Sequence, residues 1–330
     1  MKKKKKEKKI LYQLIFSAFL LFSNAYLVKA NSDILSQDST GKYCINTEQD
    51  YYNFIENIQN YNNKTVILCN DIDISDVPEA TSSFGGILNG KGHTITYASK
   101  EAKENIAVFP FRINDNGIVE NINVQIDESY AYNSETDEFQ TVFSQCDGIA
   151  KGITIKGNVT CIYDDEDTDV YIGAIEGNGT LMDSSIAITY DLQSEKTIEE
   201  IADDIVDNDL EFEFCQLGTI NTGITYQNCI GYGQYSEAIK SLADELEPKI
   251  KDNTWGYLCV SFTRKSFFST SASATNCYYD KENMPDIKIM SEYITNRDNN
   301  KEFPNYADFG KTTSEMKNQG TYEGFDFNKK

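Results

Sequence analysis

Carboxylates are the commonest reactive groups in this chain, and imidazole is the scarcest. Of 330 residues, 52 are Asp or Glu and only His93 is a histidine, which excludes chemistry built on several imidazoles. His93 sits between Gly92 and Thr94 in a strand-and-turn stretch and reads as structural. Asp71, Asp73 and Asp76 interleave with Ile72 and Ile74, so Asp71 and Asp73 would share the outer face of a strand. The densest acidic run is Asp164, Asp165, Glu166, Asp167 and Asp169. Hard oxygen ligands suit Ca²⁺, but the run lacks the Gly and spaced ligands of an EF-hand loop and reads as a solvated loop. Gly85, Gly86, Gly90 and Gly92 resemble a phosphate cradle only superficially, since no Lys-Ser/Thr follows and no helix begins there.

Eight cysteines occur: Cys44, Cys69, Cys146, Cys161, Cys215, Cys229, Cys259 and Cys277. No C-x-x-C pair exists, and with one His a zinc site is not expected. An even count permits four disulfides in an exported chain. Several cysteines lie in apolar runs, such as Val66 to Cys69 and Val159 to Ile162, which favours buried, unpaired small hydrophobes. No catalytic, cofactor-binding or metal-binding residue is expected from these patterns.

The formal net charge is −22. Lys2 to Lys9 form a basic run, followed by an apolar stretch from Ile10 to about Phe22 and by Val28-Lys29-Ala30. This is the layout of a secretory signal peptide over residues 1–30. A membrane anchor is the alternative, but Gln13, Ser17, Ser23 and Asn24 interrupt a stretch already short of the ~20 residues a spanning helix needs. Cleavage after Ala30 would remove eight Lys and one Glu and leave the mature chain at −29. Such a surface repels nucleic acids and acidic polymers, and only Arg112, Arg264 and Arg297 supply guanidinium groups. With 18 Phe and 21 Tyr the chain is no disordered acidic tail. The expected setting is secreted or cell-surface, with no stable membrane insertion after cleavage.

The elements that would position any site follow a repeat. Thr47 is a plausible N-cap for a helix over 47–60 with Tyr51, Phe54, Ile55 and Ile58 on one face. Short β-rich runs follow, punctuated by Asn116-Gly117, Asp147-Gly148, Asn178-Gly179 and Thr222-Gly223, whose glycines are 31, 31 and 44 residues apart. Seven residues after each glycine stands Val124, Ile155, Ile186 or Ile230, an inward position by this pattern. The glycines are expected to supply positive φ at the turns. A strand–turn–strand unit at a fixed period must stack on its neighbours. The fold class predicted is all-β, a right-handed parallel β-helix with an N-terminal capping helix. A sandwich of antiparallel hairpins is the alternative. Helical insertions are expected over 194–210 and 236–250, the second with Ile239, Leu242, Ala243, Leu246 and Ile250 on one face. The organisation is then a signal peptide (1–30), a cap (31–62), the coils (63–282) and a C-terminal cap (283–330).

Lys64 to Ser75, followed by Phe84 to Ile95, resembles the opening coils of bacterial secreted β-helix proteins that carry GLUG motifs. The Gly-turn units are similar to GLUG copies, Asn178-Gly179-Thr180-Leu181 among them. Asn276 to Lys281, Gly310 to Lys317 and Gly324 to Phe327 resemble the usual ending of such proteins. The resemblance implies a surface or adhesive module. It does not bring the zinc peptidase activity of some GLUG-bearing proteins, because the His-Glu-x-x-His helix is missing. The function expected is a non-catalytic interaction module that binds an extracellular glycan or protein, without cofactor. A structural spacer or a fragment of a larger surface protein is the alternative. A polysaccharide-degrading enzyme, which would need a carboxylate pair, is a third.

Overall fold

A computed structural model describes residues 35–75, 77–78, 80, 82–98, 108–131, 140–163, 169–217, 223–251, 255–261, 273–284, 287–289 and 310–318. Residues 1–30, Asp76, the acidic residues 164–167, Arg264, Arg297 and residues 324–327 lie outside them.

The chain is mostly β, built on three large parallel sheets with few helices. The first sheet runs in sequence order through strands 43–45, 65–68, 87–89, 118–120, 149–151, 180–182, 225–227 and 273–275. The second takes 72–74, 94–98, 123–131, 154–162, 185–193, 230–231, 278–280 and 310–311. The third takes 109–113, 140–146, 170–175, 211–215 and 257–261, and ends on 287–289, the one antiparallel partner among these pairings. The chain thus visits the first, second and third sheets in turn. The hairpin alternative fails, because each Gly turn joins a third-sheet strand to a first-sheet strand that do not pair with each other.

Strand alternation sets the core. Val66, Leu88, Val119, Ala150, Leu181 and Tyr226 form one in-register buried column, and Ile72, Ile95, Val124, Ile155 and Ile186 form another. Successive members lie about 4.8 Å apart, the spacing of neighbouring strands. Ile230 breaks the expected column. It pairs with Ser185, and Gly231 takes the place opposite Ile186. The cause lies upstream: Gly223 bonds to the Gly177 carbonyl, so buried Ile224 occupies the turn position that Gly179 holds one coil earlier.

The turn glycines also act differently from expectation. Positive φ is found at Gly41, Gly92, Gly152, Gly157 and Gly177, but not at Gly117, Gly148 or Gly179. Those three are needed for close approach. A Cβ on Gly148 would lie 2.3 Å from the Gly117 carbonyl oxygen, and one on Gly179 would lie 2.2 Å from that of Gly148. Left-handed conformations fall instead at the corner between the first and second sheets. There Lys91, Asn121, Asp183, Asn228 and Asn276 all have φ between 51° and 55°. Asn and Asp tolerate this region best among residues with a Cβ.

Helix α1 (Glu48–Glu56) caps the first coils. Thr47 accepts from the Asp50 amide, and Tyr51, Phe54 and Ile55 turn inward. Phe54 meets Phe84 and Phe111 edge-on, and the Tyr51 hydroxyl donates to the Val108 carbonyl at 2.6 Å. The helix is shorter than 47–60. Asn57 turns both its backbone amide and its side-chain amide onto the Asn53 carbonyl, and Ile58–Tyr61 continue as a 3₁₀ turn. Helices α2 (Ile198–Asp207) and α3 (Glu237–Leu246) occupy the same connection, second sheet to third, on successive coils and pack on each other. Thr197 and Glu200 form a capping box for α2, and Ser236 caps α3. Helix α4 (Thr313–Met316) follows the last second-sheet strand.

The expectation that the cysteines are unpaired needs correction at the N-terminus. Cys44 and Cys69 form a disulfide with Cα atoms 5.8 Å apart. Cys44 pairs with Ile67 in register, and Cys69 stands two residues further on, hence on the same, outer face. Of the apolar run before Cys69, Val66 and Leu68 belong to the opposite face. Cys146, Cys161, Cys215, Cys229, Cys259 and Cys277 are buried thiols in the structure.

Candidate functional site

Among the described residues the longest continuous strand pairings lie in the second sheet, whose outer face they present. Its three long strands, 123–131, 154–162 and 185–193, pair in unbroken register over nine residues each. By strand alternation twelve positions with described side chains belong to this face. Eight of them are uncharged and polar: Asn123, Gln125, Thr154, Asn158, Thr160, Ser185, Thr189 and Gln193. Lys156 and Asp191 carry the only charges among the twelve, so these positions sum to zero in a chain of −22. Groups on it repeat about every 4.8 Å across the strands and about 6.6 Å along them. Hydroxyls and amides both donate and accept, so this grid can bind a ligand rich in hydroxyl or amide groups without ionic pairing. Tyr130 falls within strand 123–131, and Tyr132 lies outside the described residues.

Carboxylates gather elsewhere in two clusters. At the corner where the third sheet turns into the first, the Asp147 side chain is 5% exposed and accepts from Arg112 Nε at 2.6 Å. Gln145 Nε2 and the Asn178 backbone amide complete its shell at 3.3 and 3.2 Å. Glu176 lies on the next coil, where its carbonyl accepts from the Cys146 amide. Burial, and then the charge of Asp147, push the Glu176 carboxyl up to about 7. Two carboxyl groups held in such different environments are the arrangement that acid–base chemistry uses.

The second cluster lies on the outward positions of the third sheet. The Tyr257 hydroxyl is 2.6 Å from Glu213 Oε1 and 2.7 Å from Glu211 Oε2. Tyr171 donates to the same Glu211 oxygen at 2.6 Å, and Asp169 accepts from the Glu211 amide at 2.7 Å. Glu213 is wholly buried. Burial first, then the neighbouring carboxylates, raise both tyrosine hydroxyls well above their usual range, so they stay protonated donors. Replacing Tyr257 with Phe removes a hydrogen bond from a buried carboxyl group and should cost about 1–3 kcal/mol in chemical denaturation. A change below about 0.5 kcal/mol would show that this contact is not holding Glu213.

His93 and Asp71 meet across the first two second-sheet coils. The ring Nδ1 is 3.0 Å from Asp71 Oδ1, which also accepts from the Thr94 amide at 2.8 Å. The Thr94 amide and then the His93 ring hold the exposed Asp71 carboxyl below its usual range. Asp73 is exposed on the outer face. Gly86 and Gly90 pack against backbone rather than framing an anion site, their Cβ positions lying 2.4 Å from the Tyr61 and 2.5 Å from the Asn121 carbonyl oxygens. Asp169, from the acidic run, serves the tyrosine cluster. Among the described residues no group of three or more His, Cys, Asp or Glu is placed to hold a metal ion. Among them, too, no helix is long and apolar enough to cross a membrane.

No family model matches the chain, and neither the curated proteins nor the solved structures contain a significant match to it.

Proposed function

We propose that the protein is a secreted or cell-surface interaction module that binds an uncharged, hydroxyl-rich extracellular ligand, a glycan or the polar surface of a protein, on the outer face of its second sheet. The observation that carries this reading is the near-neutral polar grid on an otherwise strongly acidic chain. A charged face would have been the default here, and acidic ligands would be repelled by the rest of the surface. In this reading the three sheets wind as a right-handed parallel β-helix. Support comes from the sheet-to-sheet order of the chain and from the strong right-handed preference of parallel crossovers. The signal-like residues 1–30 and the similarity of Lys64–Ser75 and Phe84–Ile95 to GLUG-bearing surface proteins support export and a display role.

One observation favours a second reading, glycoside hydrolysis. Glu176 and the Arg112-paired Asp147 stand on successive coils at one corner, and burial and then the Asp147 charge raise the Glu176 carboxyl, so the corner holds two carboxyl groups of the kind hydrolysis uses. A single experiment separates the two. Residues 31–330 are applied to arrays of neutral and acidic glycans and of extracellular proteins, with reducing-sugar and unsaturated-product release followed in parallel. Saturable retention of neutral glycans or of proteins, without product, is expected. Turnover that disappears in Asp147→Asn/Glu176→Gln would overturn the binding reading in favour of hydrolysis. Absence of any retained ligand would leave a structural spacer.

A further inference from the structure

On five successive coils the residue that follows the left-handed corner between the first and second sheets points into the core. Ile122, Ile153, Ser184, Cys229 and Cys277 occupy this column on five successive coils, behind Asn121, Gly152, Asp183, Asn228 and Asn276. All five are buried. The two cysteines are therefore neighbours in one stack. The Tyr278 amide bonds to the Cys229 carbonyl at 2.9 Å, and Asn276 Nδ2 reaches Asn228 Oδ1 at 3.3 Å, so the backbones at this corner lie in register. The coil spacing of about 4.8 Å falls inside the Cα separation a disulfide accepts, about 4.4–6.8 Å. Both are thiols in the structure, Cys229 donating to the Leu181 and Gln227 carbonyls and Cys277 to the Thr275 carbonyl.

We propose that Cys229 and Cys277 form a second disulfide, which locks together the coils that carry the last two first-sheet strands, as Cys44–Cys69 locks those that carry the first two. The inference stands apart from the ligand-binding reading, because the closed Cys44–Cys69 bond already places the chain in disulfide-forming conditions. The exchange can open at either cysteine while the chain folds, for example at Cys277. Cys277 thiolate attacks one sulfur of a small-molecule disulfide such as oxidised glutathione and expels one thiolate. Cys229 then loses its proton to that thiolate, attacks Cys277 Sγ and expels the second thiolate, which takes up a proton from solvent. Two protein thiols are oxidised and one disulfide is reduced to two thiols.

The test is a thiol map. The full chain is refolded in a glutathione redox buffer, then denatured, alkylated with N-ethylmaleimide and digested without reduction. A Cys229–Cys277 cross-linked peptide is expected, with Cys146, Cys161, Cys215 and Cys259 alkylated. Alkylation of both Cys229 and Cys277, or their linkage to other cysteines, would overturn the proposal. The Cys44–Cys69 peptide in the same digest reports that oxidation took place, independently of any ligand binding. In chain carrying the new bond, reduction should lower Tm more than it does in Cys229→Ser/Cys277→Ser.

Discussion

Gly179→Val should unfold or severely destabilise the protein, by about 4 kcal/mol or more and on the order of 10 °C in Tm. The physical reason is a stack of backbones with no room between them. The Cβ of residue 179 would stand 2.2 Å from the Gly148 carbonyl oxygen, that of residue 148 would stand 2.3 Å from Gly117, and that of residue 117 would stand 2.5 Å from Phe84. The nearest atom in each case is main chain, which cannot rotate aside. Relief requires parting two coils, and this breaks the bond from the Thr180 amide to the Gly148 carbonyl at 2.9 Å and the in-register pairing of 180–182 with 149–151. Thr180→Val one residue later is the control. Its side chain is partly exposed on the outer face, so its effect should stay within about 0.5 kcal/mol. Equal Tm values for the two variants by calorimetry would show that the turn glycines are not contact points between coils.

Glu176 makes the second large prediction, in pH dependence. Its carboxyl titrates at about 7 when folded, against an ordinary value of 4.5 that stands for the unfolded chain. Between these values the folded state holds a proton that the unfolded state has released, so stability falls as pH rises through this window. Below it the group contributes nothing, and above it the full cost is present. A shift of this size corresponds to about 3 kcal/mol, and partial solvent access reduces the expected effect to about 1–2 kcal/mol. Glu176→Gln removes the charge and keeps the shape. The variant should match the parent near pH 4 and exceed it by about 1–2 kcal/mol at pH 8. Parallel stability–pH curves from urea titrations would contradict the burial and the Asp147 proximity that raise this group.

The repeat was legible because stacking imposes a spacing. Glycines 31 residues apart mark corners that lie directly above one another, and the strand before each of them lies in the third sheet. Their reason was misread, since nothing in an Asn-Gly dipeptide distinguishes positive φ from a crowded backbone contact. The left-handed corners carried their own signal, Asn121, Gly152 and Asp183 each standing four residues after a turn glycine. The slip at Ile230 was hidden because counting from Gly223 assumes that it aligns with Gly179, whereas its hydrogen bond is to Gly177. The carboxylate clusters were invisible for a different reason. Tyr257 and Glu213 are 44 residues apart, and Arg112 and Asp147 are 35 apart, so only the coil register brings them together. The polar face could have been found by following alternate residues of 123–131, 154–162 and 185–193, where Thr, Ser, Asn and Gln displace the acids common elsewhere in the chain.

Gln125→Glu/Asn158→Asp tests the assigned binding face most directly. Both positions are exposed on that face, and both changes keep side-chain size while adding two negative charges. On the glycan and protein arrays, the variant should keep the parent's Tm and lose at least tenfold in affinity for whatever ligand the parent retains. Unchanged affinity in a folded variant would contradict the assignment of binding to the outer face of the second sheet.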